Sequence, residues 1–115
     1  MAVQGSLLAQ TRPSNTTAAA AFTATLKTEI ASIYVANTTG SDAAFSIYHD
    51  DDGSTFDESN ALYFGVSVAA NTTARVDAGK DGEGIAIKAS GSLGVKTGTA
   101  SALTFSIYGI TESVT

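Results

Sequence analysis

The chain of 115 residues contains no cysteine, a single proline, a single histidine and few charges. Each scarcity removes a class of explanation. Without thiols there are no disulfides and no thiolate metal sites, so the fold must hold by packing alone. Charged residues make up only 15% of the chain, and eleven acids against six bases give a net charge of −5. The bases Arg12, Lys27, Arg75, Lys80, Lys88 and Lys96 are scattered along it. Phosphate binding needs a basic patch that displaces counterions, which argues against nucleic acid as a partner. No stretch approaches the roughly twenty apolar residues of a bilayer-spanning helix. The opening MAVQGSLLAQTRPSNTT has neither the basic start nor the apolar run of a secretory leader. The expectation is a protein made and kept in a reducing cytosol, or one that leaves the cell without a signal peptide, with no membrane partner.

What is present is alternation. In LYFGVSVAA, Leu62, Phe64, Val66 and Val68 fall on one face, with Tyr63, Gly65 and Ser67 on the other. That is the pattern of a half-buried strand. AFSIY places Phe45 and Ile47 inward, with Ser46 and Tyr48 outward. ALTFSIYGI does the same with Leu103, Phe105 and Ile107 against Thr104, Ser106 and Tyr108. IASIYVA, GIAIKAS and SLGVKTG add three segments, TTARVDA a weaker seventh and AFTATL an eighth. Turn residues separate them at Thr39–Asp42, Ala78–Gly82 and Ser90–Ser92. Seven to eight short strands at this spacing predict an all-β fold, a single β-sandwich or jelly-roll-like domain over residues 21–115. Helix has room only around Ala18–Ala21.

FSIY occurs twice, at Phe45–Tyr48 and Phe105–Tyr108. ANTT occurs at Ala36–Thr39 and Ala70–Thr73, with SNTT at Ser14–Thr17. Equivalent strand positions favour similar residues, which accounts for such short matches without a repeat architecture. Residues 1–20 lack a sustained period and predict an extended N-terminal arm. Leu7, Leu8, Arg12 and Pro13 are its candidate interaction residues, docking on a neighbouring subunit.

The densest chemistry lies in HDDDGSTFDESNAL, from His49 to Leu62. Asp50, Asp52, Asp57 and Glu58 offer oxygens to a hard cation such as calcium. Counted as an EF-hand loop from Asp50, however, position 6 is Thr55 and position 12 is Ala61, where glycine and glutamate are required. A solvated acidic turn is the better reading, with Gly53 and the Asp side chains serving the backbone and deterring edge-to-edge pairing. Adjacent acids in one turn do not predict the separated carboxylates of a glycosidase. His49 has no nucleophile elbow to serve. No enzyme activity and no cofactor are expected. GKDGEG at Gly79–Gly84 lacks the GK[ST] ending of a phosphate loop, and Asn15, Asn37 and Asn71 in N-x-T triplets read as turn residues. Tyr34, Tyr48, Tyr63 and Tyr108, opposite the aliphatic faces of their strands, could form an aromatic patch for subunit contact or sugar stacking.

Three stretches, LLAQTRPSNTTAAAAF, IASIYVANTTGSDAAFSIYHDDDGSTFDESNALYFGVSVAANTTARV and LGVKTGTASALTFSIYGI, resemble small all-β virion structural proteins of tailed bacteriophages. The shared patterns are I-x-V-x-N-T-x-G-x-x-A-x-F-x-I, D-x-G-x-x-[FY] and a late G-T-x-x-A-L-T. The resemblance implies a virion component assembled in the host cytoplasm: a capsid decoration (cement) subunit bound to the major capsid protein, or a neck, tail or fibre-attachment part. It carries over no functional residue. Repeated weak contacts suggest a closed homo-oligomer, and a trimer at a head three-fold is the expectation chosen. The rival from another class is a carbohydrate- or calcium-binding module on the same fold.

Overall fold

Two antiparallel sheets packed face to face account for the alternating segments in the computed structural model, which describes residues 6–51, 55–76 and 85–111. The strands are β1 (Ser6–Thr11), β2 (Ala19–Thr23), β3 (Thr28–Asn37), β4 (Ala43–Asp50), β5 (Ala61–Val68), β6 (Thr73–Val76), β7 (Ile85–Ile87), β8 (Ser92–Thr97) and β9 (Leu103–Thr111). One sheet runs β1-β9-β3-β6, with β7 continuing the β6 edge along β3, and the other runs β2-β8-β4-β5. The fold is a β-sandwich, as the periodicity predicts. The pairings nest: β1 with β9, β2 with β8, β3 with β6 and β7, β4 with β5. They read as one long hairpin, closed at β4–β5 and wound over both sheets. The Ala18–Ala21 stretch, where helix had room, enters β2 instead. The Ala78–Gly82 turn, the GKDGEG stretch and Asp52 lie outside the described residues.

Between the sheets, Ile30, Ile33, Val35, Phe45, Ile47, Leu93, Val95, Leu103, Phe105 and Ile107 are fully buried. The two FSIY strings occupy central strands of opposite sheets. Their rings, Phe45 and Phe105, meet edge to face across the layer at 6.1 Å and 80°. Strands of this kind need not alternate without interruption. One extra residue on β3, Ala31 between Ile30 and Ser32, and one on β1, Leu8 between Leu7 and Ala9, bulge on either side of β9. Between them lies Gly109, where a Cβ would stand only 2.2 Å from the Glu29 carbonyl oxygen.

Two corrections follow from such bulges. On β5, Phe45 pairs with Val66, Ile47 with Tyr63 and Tyr48 with Ala61, so this strand carries two extra residues. Gly65, at φ +65°, supplies the left-handed conformation one of these bulges needs, and its N–H donates to Ser46 Oγ. As a result Tyr63 packs against the core, while Leu62 and Phe64, expected inward, stand outward at 44% and 56% exposure. Val66 is also exposed, and only Val68 of that expected face is buried. The second concerns residues 1–20. From Ser6 onward this segment is part of the sandwich: β1 is an edge strand on β9, and the bulge turns both Leu8 and Ala9 onto the core.

One end of the sandwich is tied by polar side chains. Buried Asn37 donates to the carbonyls of Ser41 (2.8 Å) and Val68 (3.0 Å) and accepts from the N–H and hydroxyl of Thr39. The two ANTT strings are neighbours there, with Asn37 N donating to the Thr72 carbonyl and Asn71 N to that of Thr39. Removing the Asn37 amide would take that partner from the Val68 carbonyl and the Thr39 N–H, while the Ser41 carbonyl keeps the Thr39 hydroxyl, at about 1–3 kcal/mol for each group left dry. Asn37→Ala is expected to cost about 3 kcal/mol in urea unfolding. Gly109→Ala is expected to cost about 2–3 kcal/mol by overpacking, whereas Gly98→Ala, whose Cβ would meet nothing closer than 3.6 Å, stays within about 0.5 kcal/mol of wild type.

Candidate functional site

The acidic stretch connects β4 to β5 and folds back over the outer face of the four-stranded sheet. Its anchor is Phe56, the last residue of the Asp51-x-Gly53-x-x-Phe56 pattern. The ring rests on Gly94 of β8, where a Cβ would lie 2.6 Å from ring carbons. It also leans on Tyr48 at 6.1 Å and 41°. Tyr48, expected outward and free, is therefore buried.

The acids are engaged in holding this loop. Asp50 Oδ2 accepts from Thr55 N at 2.9 Å, and His49 Nε2 lies 2.7 Å from Asp51 Oδ1. Asp57 caps a short 3-10 turn, Glu58–Asn60, by accepting from the N–H and hydroxyl of Ser59. Asn60 returns the contact, accepting from Asp57 N and donating to the Thr55 carbonyl. This reciprocal arrangement is a capping box. The Ser59 hydroxyl and N–H hold the Asp57 carboxyl below its ordinary pKa, since both favour the charged acceptor. Among the described residues, no three carboxylates or imidazoles converge as a metal set would. Of the four candidate ligands, Asp50 and Asp57 each engage a backbone N–H, Glu58 is exposed, and Asp52 lies outside the described residues.

Beside the loop lies an open groove of about 440 Å³. Its floor is the outer face of the sheet, with Tyr48 and Lys96. One wall is the loop with Phe56, Asp57 and Glu58, and Phe64 projects from β5. The opposite wall is the crossing from β1 to β2 at Thr16–Ala18, pinned by Thr17 N donating to Asn15 Oδ1 at 3.0 Å. Phe56, Phe64, Lys96 and the two threonines carry no local sequence signal of a site. The periodicity of β5 points Phe64 inward, and nothing local to Phe56 announces that its seat is a glycine 38 positions later.

The other predicted residues are dispersed. Tyr34 and Tyr108 stack edge to face at 5.7 Å on the outer face of the five-stranded sheet, with the Arg75 guanidinium 5.7 Å over the Tyr34 ring. Tyr48 and Tyr63 belong to the other sheet, so four tyrosines do not make one patch. Leu7 pairs with Tyr108 and is 49% exposed, whereas Leu8 turns inward. Arg12 donates from Nε and Nη2 to the Ser101 carbonyl and from Nη1 to Thr38 Oγ1. The Pro13 carbonyl accepts from Ser101 N at 2.9 Å. Together these contacts hold Ser101 at φ +56°, a left-handed conformation uncommon for a side-chain-bearing residue. Arg12 and Pro13 thus position a turn of their own chain.

No family model matches this chain, and neither does any curated protein or solved structure.

The cap dictates a pH response. A carboxyl held below its ordinary pKa contributes order above the unfolded value, and that contribution is lost as pH falls through the lowered folded value. Acidification is therefore expected to release Ser59 N, with a midpoint below that of an ordinary Asp, read as an upfield shift of its amide proton. Asp57→Ala should abolish the transition. Gly94→Ala should lift Phe56 off the sheet and erase the Tyr48–Phe56 ring-current shifts while the strands persist.

Proposed function

We propose that this chain is a structural virion protein of a tailed phage, a capsid decoration (cement) subunit that attaches through the outer face of its five-stranded sheet. The observation that carries the reading is the row Leu7, Tyr108 and Tyr34, three large apolar side chains left 36–49% exposed side by side on β1, β9 and β3. Adjacent exposed apolar side chains of this kind mark a contact surface. The resemblance of the sequence to virion proteins points the same way. So does the nested pairing, which supports reading the sandwich as a jelly roll, an architecture of viral capsid and lectin domains alike. Fold by itself does not choose between those uses.

The N-terminal segment contributes to attachment through Leu7 on an edge strand, with Arg12 and Pro13 fixing the exit of that strand. The major capsid protein is the partner in this reading, and a closed homo-oligomer, a trimer, repeats weak contacts until they hold. A neck or tail position would use the same surface at lower copy number.

Leu7→Ser and Tyr108→Ser test the contact without removing β1, which a terminal deletion would do. Each is expected to reduce co-sedimentation with particles lacking the protein at least tenfold, with melting temperature nearly unchanged. Undiminished binding by both variants would refute the attachment surface. Mass-spectrometric copy number from purified particles separates the positions: hundreds of copies for decoration, a single ring's worth for neck or tail.

A further inference from the structure

We propose that the groove over the four-stranded sheet binds a short neutral oligosaccharide. This goes beyond the attachment reading and rests on the opposite sheet. Phe64 is the most exposed large apolar side chain among the described residues, at 56%, and its ring lines the groove. The bulges of β5 put it there, although the regular alternation of the strand would have buried it. An aromatic face offered at the edge of a groove suits the C–H face of a pyranose ring, which is apolar and meets the electron-rich π surface.

The polar lining fits the same ligand. Lys96, half-buried on the floor, makes no ion pair among the described residues, although Asp57 and Glu58 line the same groove. An ammonium only donates and a carboxylate only accepts, while a hydroxyl of Thr16 or Thr17 does both. A polyol can satisfy every one of these groups, accepting from Lys96 and donating to Glu58. One cation against two carboxylates leaves the lining negative, which disfavours phosphate, sulfate and uronate ligands.

Both walls are set before any ligand arrives. The Asp57–Asn60 capping box and the Phe56–Gly94 seat fix one, and the Asn15–Thr17 contact fixes the other. A prearranged wall loses little freedom on binding. The volume, about 440 Å³, falls within the roughly 300–1,000 Å³ of small-ligand sites.

The test is a titration of the full chain with maltotriose, cellotriose and triacetylchitotriose, followed by backbone amide shifts. At least one probe is expected to shift residues 16–18, 56–58 and 96. Phe64→Ala should weaken that binding at least tenfold and Lys96→Met several-fold, while Tyr34→Ala on the far sheet changes nothing. Phe64 is exposed, so its variant should melt as the wild type does, and that measurement guards against a folding artefact. Absence of shifts with all three probes at millimolar concentration would overturn the proposal. So would binding that survives Phe64→Ala, or tighter binding of trigalacturonate. Concentration-dependent shifts of the same amides without sugar would assign the groove to a second copy and equally overturn it. Loss of sugar binding with particle attachment intact would separate this site from the attachment face.

Discussion

The molecule is held closed by a single apolar layer, and the contact at its centre is Phe45 against Phe105. Each ring comes from an FSIY string on a central strand, and each string buries its isoleucine, Ile47 or Ile107, two positions on. No disulfide assists, and the His49–Asp51 contact is partly exposed. Exposed pairs of that kind contribute at most about 1 kcal/mol, whereas each buried ring or branched aliphatic contributes roughly 1.5–3 kcal/mol. Outward-facing residues are therefore free to differ between the two strings: Tyr108 lies open, while Tyr48 is covered by Phe56.

Strand positions and the central core were legible because period two survives wherever no bulge intervenes. Phe45, Ile47, Leu103, Phe105 and Ile107 all face the way the alternation says. β5 departs from its alternation for the opposite reason. A bulge adds one residue to one strand, and counting by twos then reverses every assignment beyond it. Gly65 was the available sign, since a glycine inside a strand pattern often marks a bulge. β1 was missed because its place depends on backbone pairing with β9, almost a hundred residues away, and a bulged edge strand shows no period of its own. Tertiary partners decided the groove as well, since Phe56 needs Gly94 and Phe64 needs the displaced register of β5.

The acidic loop changes meaning in the structure. Composition alone made Asp50 and Asp57 candidates for a cation, yet their oxygens face N–H groups of their own loop. Short acidic side chains are good caps because they reach backbone donors a few residues on, here Ser59 N from Asp57 and Thr55 N from Asp50. The cluster is thus a local scaffold, and what it supports is the aromatic clamp of Phe56. Chemistry concentrated in a sequence need not be chemistry directed at a ligand.

The nesting of the strands also sets the order in which the protein can come into being. β9 lies between β1 and β3, so the larger sheet has a gap at its middle until that strand, the last of those described, has left the ribosome. Until then β1 has no partner, the long strand β3 lacks one neighbour, and Phe45 has no ring to meet. Long-range pairing of this kind is slow, and it exposes apolar strand edges while it waits. The earliest and latest described strands, Leu7 beside Tyr108, are thereby made to depend on each other. A chain cut short before β9 would lose the seam that joins its sheet rather than a dispensable edge.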